Sequence, residues 1–240
     1  MKSVRLELLH PALGENLITP EGLRSVFPDG AEFPVPLPFA ADEVRLTGKG
    51  ADKHLEMPKV LELVARGEMI LLPRIAEAGG KPLTIAALVE RFPEAFESRL
   101  LKQVGYQLKE EWGILLEPLS RTETPASGWA IVSKRPLPRT LNRSYDEQTR
   151  ILDEWASPWT QDGWTVRRRR AVEIVYDLVV FWKVRGERLL EKAWDWSSSR
   201  TVDRGIVNVG GFGPRGMEIL AYSAAVRHGA LGVCPTLSRD

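Results

Sequence analysis

The apolar positions of this chain change rhythm along its length, and the change is sharpest at the C-terminal end. Between Trp194 and Asp240, short apolar stretches (Ile206, Val207 and Val209; Met217 and Ile219; Leu231 and Val233) alternate with glycine-bearing turns, the signature of strands joined by tight connections. Between the second and third stretches, Ala221 to Ala230 shows no clear amphipathic period. Strands around a segment that follows no folding period suggest a scaffold displaying a surface, a pattern that favours a binder over a catalyst. Upstream, helical periodicity predicts helices over 83–92 (Leu83, Ala87, Leu88, Phe92), 97–112 (Leu100, Leu101, Val104, Leu108, Trp112), 145–155 and 168–192. The last runs through Val172, Val175, Tyr176, Val179 and Val180 and is expected to end or break at Gly186. A further helical stretch is expected at 56–78, broken at Gly67 and Pro73. Residues 11–40 hold six prolines, which predict an extended or turn-rich arm.

After the 97–112 helix, the runs ILLEP and WAIVSK flank SRTETPASG and read as a β-hairpin. Helix, helix, hairpin is the order of a winged helix, whose second helix reads DNA. That helix carries Arg99, Lys102 and Lys109 but also Glu97, Glu110 and Glu111, so packing on a neighbouring domain is the plainer reading. A winged-helix nucleic-acid-binding regulator using residues 80–135 is the alternative function. Composition shifts near residue 125: seven of the eight tryptophans (129, 155, 159, 164, 182, 194 and 196) lie between there and residue 196. The expected class is α+β, with a helical and extended region over 1–125, winged-helix-like in order, and a second domain over 126–240.

Bulk properties narrow the function classes. The 240 residues are 43% hydrophobic and 27% charged, ordinary for a globular protein. Thirty-three basic and thirty-two acidic residues leave a net charge of +1, so no global field draws the chain onto nucleic acid or membrane. The single cysteine, Cys234, excludes an internal disulfide and any cysteine-rich metal site. His10, His54 and His228 are too scattered to suggest a metal centre; no metal and no cofactor is expected. The start, MKSVRLELLHPAL, lacks the apolar core of a signal peptide. The most apolar stretch, Ile174 to Trp182, contains Asp177 and is too short to span a bilayer. These features predict a protein without a transmembrane segment, cytoplasmic by default or phage-associated.

Taken in order, GWAIVSKRPLPRTLNRSYDEQ (128–148), AVEIVYDLVVFWKVRGERLLE (171–191), WSSS, IVNVGGFGPRGMEI and LGVCPTLSR carry a resemblance. The order and spacing of a Trp-led strand, a lysine–proline turn, an S-Y-x-E-Q helix start, a G-E-R-L helix end, a V-G-x-F-x-x-x-G hairpin and an L-G-V strand resemble the C-type-lectin-like variable proteins of diversity-generating retroelements. The resemblance covers about 128–240, roughly half the chain. It implies a non-enzymatic, receptor-type protein of bacterial or phage origin, binding a protein or other macromolecular ligand through a surface whose side chains are rewritten while the strands keep their core. The implied core anchors are Trp196, Val207, Val209, Phe212, Gly216, Leu231, Gly232 and Val233. The implied ligand-binding positions are Asn208, Gly211, Gly213, Arg215, Glu218, Leu220, Ala221, Tyr222, Ser223, Val226, Arg227, His228 and Ala230. Tyr222 is the best anchor, offering large area and one hydroxyl at low entropic cost, with Arg215, Arg227 and Glu218 adding charged specificity.

Other chemistries fit less well. The same fold houses formylglycine-generating enzymes, which use paired cysteines, and this chain has one. No Glu-Pro-Asn, Gln-Pro-Asp or Trp-Asn-Asp triplet occurs to build a calcium-dependent sugar site. GGFGPRG (210–216) would need to open a helix to cradle phosphate, and the following MEILAYS reads as a strand. Ser197–Ser199 reads as a polar strand end, without a His–Asp pairing to make a nucleophile. The run Arg167–Arg170 reads as a solvated face; its charge opposes the dipole at a helix start, which suggests an acidic partner.

Overall fold

Capping chemistry places the first helices. The computed structural model describes residues 4, 6–29, 33, 36–40, 42–47, 54–97 and 113–239. It begins with α1 (Leu6–Leu13) and α2 (Pro20–Val26). Thr19 Oγ1 accepts from the Gly22 amide at 3.1 Å, and Pro20 stands in the first turn, where its missing N–H is no loss. Two of the prolines expected to hold an extended arm, Pro11 and Pro20, therefore lie in helices. The chain continues through the antiparallel pair β1 (Arg45–Thr47) and β2 (His54–Glu56), then α3 (Lys59–Ala65), β3 (Met69–Arg74), the short pair β4 (Glu77–Ala78) and β5 (Lys81–Pro82), α4 (Ile85–Arg91) and a one-turn α5 (Leu119–Thr122). The remainder is β6 (Gly128–Ser133), α6 (Tyr145–Gln161), β7 (Thr165–Arg167), α7 (Ala171–Arg185), β8 (Trp194–Arg200), β9 (Ile206–Gly213), β10 (Gly216–Tyr222), β11 (Leu231–Gly232) and β12 (Thr236–Ser238).

The architecture is α+β. One four-stranded sheet has the order β3-β6-β12-β7 and is antiparallel; the other has the order β10-β9-β8-β11, with β11 parallel to β8. Helix α7 lies between them. Its residues Ala171 to Phe181 are all buried, so solvent reaches it only at the last turn and it has no clean amphipathic stripe. Ile70, Leu72, Ala130 and Val132 of the first sheet and Val207, Val209 and Ile219 of the second share one core with it. The far face of the first sheet (Met69, Leu71, Trp129, Ile131, Leu237) packs on α1, α3 and Trp164. Gly186, in the left-handed region at φ 74°, closes α7 as its position predicts.

Two expectations fail for physical reasons. The helix expected over 56–78 is helical only to Ala65; Met69–Arg74 is a strand buried at every position. A run covered on both faces loses the alternation that would mark it as a strand. The hairpin expected from ILLEP and WAIVSK does not form. Ile114–Leu116 is a 3₁₀ turn, and β6 pairs instead with β3 and β12, Ile131 standing opposite Leu71 and Leu237. The winged-helix order therefore lacks its wing; the 97–112 helix, apart from Glu97, lies outside the described residues. The boundary expected at 125/126 falls between β3 and its partner β6, so the two halves share a sheet and a core.

The third correction concerns Arg167–Arg170. Arg168 and Arg169 are buried, and Arg169 joins an ion network inside the core. Arg74 of β3 donates to both carboxylate oxygens of Asp177, at 2.8 and 2.6 Å. Arg169 donates to Asp177 at 2.8 Å and to Asp195 of β8 at 3.0 Å. Arg167 makes two parallel bonds of 2.7 Å to Glu173. Glu173 also accepts from the Arg170 amide at 2.8 Å, the acidic partner that the helix start calls for. Burial opposes the charge of Arg169, but the Asp195 and Asp177 carboxylates outweigh it and hold the guanidinium charged. Burial likewise raises Glu173, and the bonds from Arg167 with the charge of Arg74 overcome it, leaving its carboxyl well below the usual range.

Removing one charge from this network strands its partners in the core. Asp177→Asn should lower unfolding free energy by about 3–5 kcal/mol, measured by denaturant titration; a loss within experimental error would remove the network from its structural role. Because the folded Glu173 carboxyl titrates low, its contribution is complete above the unfolded value near pH ~4.3 and is lost as pH falls below it. Glu173→Gln should therefore be less stable at neutral pH and show a flatter loss of stability between roughly pH 5 and 2.

Candidate functional site

Strand alternation gives the second sheet two faces with different chemistry. On β9, Val207 and Val209 enter the core beneath α7, so Ile206, Asn208 and Gly210 face the other way. The register sets Leu220, Asn208 and Trp196 in one row across β10, β9 and β8, and Glu218, Gly210 and Trp194 in the next. Asp195, between the two tryptophans, points inward to Arg169 and accepts the Cys234 amide at 2.8 Å. Inward Asp195 thus turns Trp194 and Trp196 to the outer face. Gly210 is required there: a Cβ would stand 2.1 Å from the Ala193 carbonyl oxygen.

That outer face carries a groove of about 490 Å³ lined by Trp194, Asn208, Glu218, Leu220, Tyr222, Val226, His228 and Leu231. Six of the eight are expected ligand-binding positions, and Leu231 is an expected anchor. A smaller depression of about 240 Å³ beside it is bordered by Gly211, Gly213, Arg215 and Glu218 together with Glu97, Glu191 and Lys192. Trp194 and Glu218 border both. Ala221, Ser223, Arg227 and Ala230 line neither. Arg215, Ser223, Arg227 and His228 are exposed, whereas Gly211, Gly213, Glu218, Ala221, Tyr222, Val226 and Ala230 are half-buried. Asn208 and Leu220 are buried and line the groove from beneath. All eight expected anchors are buried. Two are glycines by necessity of space: a Cβ on Gly216 would stand 2.3 Å from the Phe96 backbone, and one on Gly232 2.6 Å from Thr140 Oγ1.

The run 223–230, which has no period in the sequence, is held by its main chain. The Ala224 carbonyl accepts from the Tyr145 amide at 2.9 Å, that of His228 from Asn142 at 3.0 Å, and that of Ala230 from Trp194 at 2.8 Å. Its side chains add fewer ties: Arg227 pairs with Glu147 at 3.0 Å, and His228 Nδ1 accepts from the Ala230 amide at 3.2 Å. That bond leaves Nε2 as the protonated nitrogen of the neutral ring. The His228 ring meets Trp194 edge to face at 6.0 Å between centroids. Behind the groove, Tyr145 packs edge to face on Trp196, and Arg168 lies over the Tyr145 ring while donating to the Trp196 carbonyl at 3.1 Å.

Asn208 is the anomaly of the site. Its side chain is fully buried, and neither Oδ1 nor Nδ2 has a hydrogen-bond partner among the described residues. The indole Nε1 atoms of Trp194 and Trp196 are also buried without partners. Trp194 itself was missed as a site residue; the spacing W-D-W, with the acid facing the core, is the signal that places both indoles outward. The other serine, cysteine and basic candidates are structural. Ser197 Oγ donates to the Val207 carbonyl at 2.6 Å, Cys234 is buried with its thiol raised by desolvation, and GGFGPRG forms the β9–β10 turn as expected. Among the described residues no group of histidine, cysteine and acidic side chains could hold a metal, and no helix is long and apolar enough to cross a membrane.

An amide buried without partners costs stability, and an apolar side chain of similar size removes that cost. Asn208→Leu should raise unfolding free energy by about 1–3 kcal/mol; a lower stability by denaturant titration would show that the amide is satisfied in the folded protein. No protein-family model matches the chain, and comparison with the curated proteins and with the solved structures gives no match either.

Proposed function

We propose that this chain is a non-enzymatic, receptor-type protein that binds its ligand on the outer face of the β10-β9-β8-β11 sheet. We further propose that its C-terminal part is a C-type-lectin-like scaffold of the kind used by the variable proteins of diversity-generating retroelements. The observation that carries the reading is a partial convergence: six of the thirteen positions picked from the motif order as displayed surface line one groove and three more border the depression beside it, while every position picked as an anchor is buried. The main-chain anchoring of 223–230 supports it as well, because carbonyl acceptors hold the run whatever its side chains are. The nature of the lining, aromatic and apolar with a few polar groups, suits a ligand site. The partner under this reading is a protein or other macromolecule.

The reading is tested in the DNA beside the gene. A reverse transcriptase gene and an imperfect copy of the 3′ end, differing mainly at adenines and opposite codons of the groove positions, are expected there. Absence of both removes the variable-surface reading.

A further inference from the structure

Resting on the reading of this face as a ligand surface, we propose that the groove recognises a cyclic amide: a flat ring bearing an N–H and a C=O on adjacent atoms. The inference starts from Asn208. A carboxamide ends in an acceptor and a donor in one plane, and here both are buried and unpartnered, on a residue that lines the groove. Buried polar atoms in folded proteins are almost always bonded, so a partner arriving from outside is the economical account of two that are not. A single hydroxyl meets both only through bent bonds; two straight, parallel bonds need separate ligand atoms, because Oδ1 needs a donor and Nδ2 an acceptor. The ligand must offer the two side by side. An ordinary trans amide holds its N–H and C=O on opposite sides of the C–N bond; closing the amide into a ring forces them to the same side, where they meet Oδ1 and Nδ2 as two parallel bonds.

The walls favour a ring. Leu220, Val226 and Leu231 are apolar, and Trp194 and Tyr222 add flat aromatic surface. The volume, about 490 Å³, lies in the range of small-ligand pockets. The unpartnered Nε1–H of Trp194 supplies one more donor for a second ring carbonyl. Among the described residues no lysine or arginine lines the groove, and Glu218 does, which disfavours a phosphate or carboxylate. A macromolecule would satisfy the site by presenting such a ring.

The test uses the full chain and three probes, followed by calorimetry and by shifts of backbone amide signals: 2-pyridone, its N-methyl derivative, and a linear trialanine amide methylated on its terminal amide nitrogen so that all its amides are secondary and trans. The expected result is saturable binding of 2-pyridone with shifts at Asn208, Leu220 and Tyr222, and binding of the N-methyl derivative weaker by about ten-fold or more. Asn208→Leu and Asn208→Asp should differ in kind: the leucine variant abolishes this preference, whereas the aspartate variant, whose carboxylate keeps an acceptor for the ring N–H but has no donor for the ring carbonyl, weakens 2-pyridone binding. Equal binding of the two pyridones, an unchanged preference in Asn208→Leu, or undiminished 2-pyridone binding in Asn208→Asp overturns the proposal. If only the linear amide shifts the groove signals, the cyclic amide falls while the ligand-binding reading stands. If no probe shifts them, the cyclic amide falls as well, and the fate of the wider reading is decided by the neighbouring DNA.

Discussion

The buried ion network around α7 is the constraint on which the rest depends. A helix buried from Ala171 to Phe181 can carry Glu173 and Asp177 only if cations reach them inside the core. Arg74 arrives from β3, Arg167 and Arg169 from the segment just before the helix, and Asp195 closes the set from β8. The network thereby fixes the spacing between the two sheets and the rotation of the helix between them. It also sets the orientation of β8. With Asp195 held inward by Arg169 and the Cys234 amide, strand alternation leaves Trp194 and Trp196 no choice but the outer face. The aromatic side of the groove is a consequence of electrostatics on the opposite side of the sheet.

The two faces of that sheet differ in how their polar groups are satisfied. The inner face is a close-packed apolar layer in which the polar side chains of β8, Asp195, Ser197 and Ser199, are all bonded. The outer face carries the unpartnered atoms, a small apolar cluster of Trp196, Ile206 and Leu231, and half-buried aromatics. Sites that bind tend to hold such locally unfavourable groups, their cost being offset by a well-packed scaffold.

Much of this was legible in the sequence, and the failures share one cause. Helices α6 and α7, the Gly186 terminus and the glycine-punctuated strands β9, β10 and β11 follow from local periodicity and turn chemistry, which depend on neighbours in the chain. Met69–Arg74 was misread because burial on both faces erases period two. The fate of WAIVSK depended on β3 and β12, whose Leu71 and Leu237 stand opposite Ile131 from 60 and 106 residues away, and no local pattern encodes such pairing. Arg167–Arg170 looked solvated because its acids Asp177 and Asp195 are separated from it in sequence. At the site, alternation identified Asn208, Leu220 and Tyr222 as one face, but the depth of Asn208 and the role of Trp194 required the register of three strands.

The bonds that hold 223–230 have a consequence for how this segment can change. The acceptors are carbonyls at Ala224, His228 and Ala230, and the donors are amides at Tyr145, Asn142 and Trp194, spaced by elements that cannot slide. Side chains along the run can be exchanged without breaking any of these bonds. Adding or deleting a single residue would move the carbonyls out of step with their donors and pull β11 from its place beside β8. The segment is free in composition and fixed in length, so a lineage could explore it by substitution and would be penalised for every insertion.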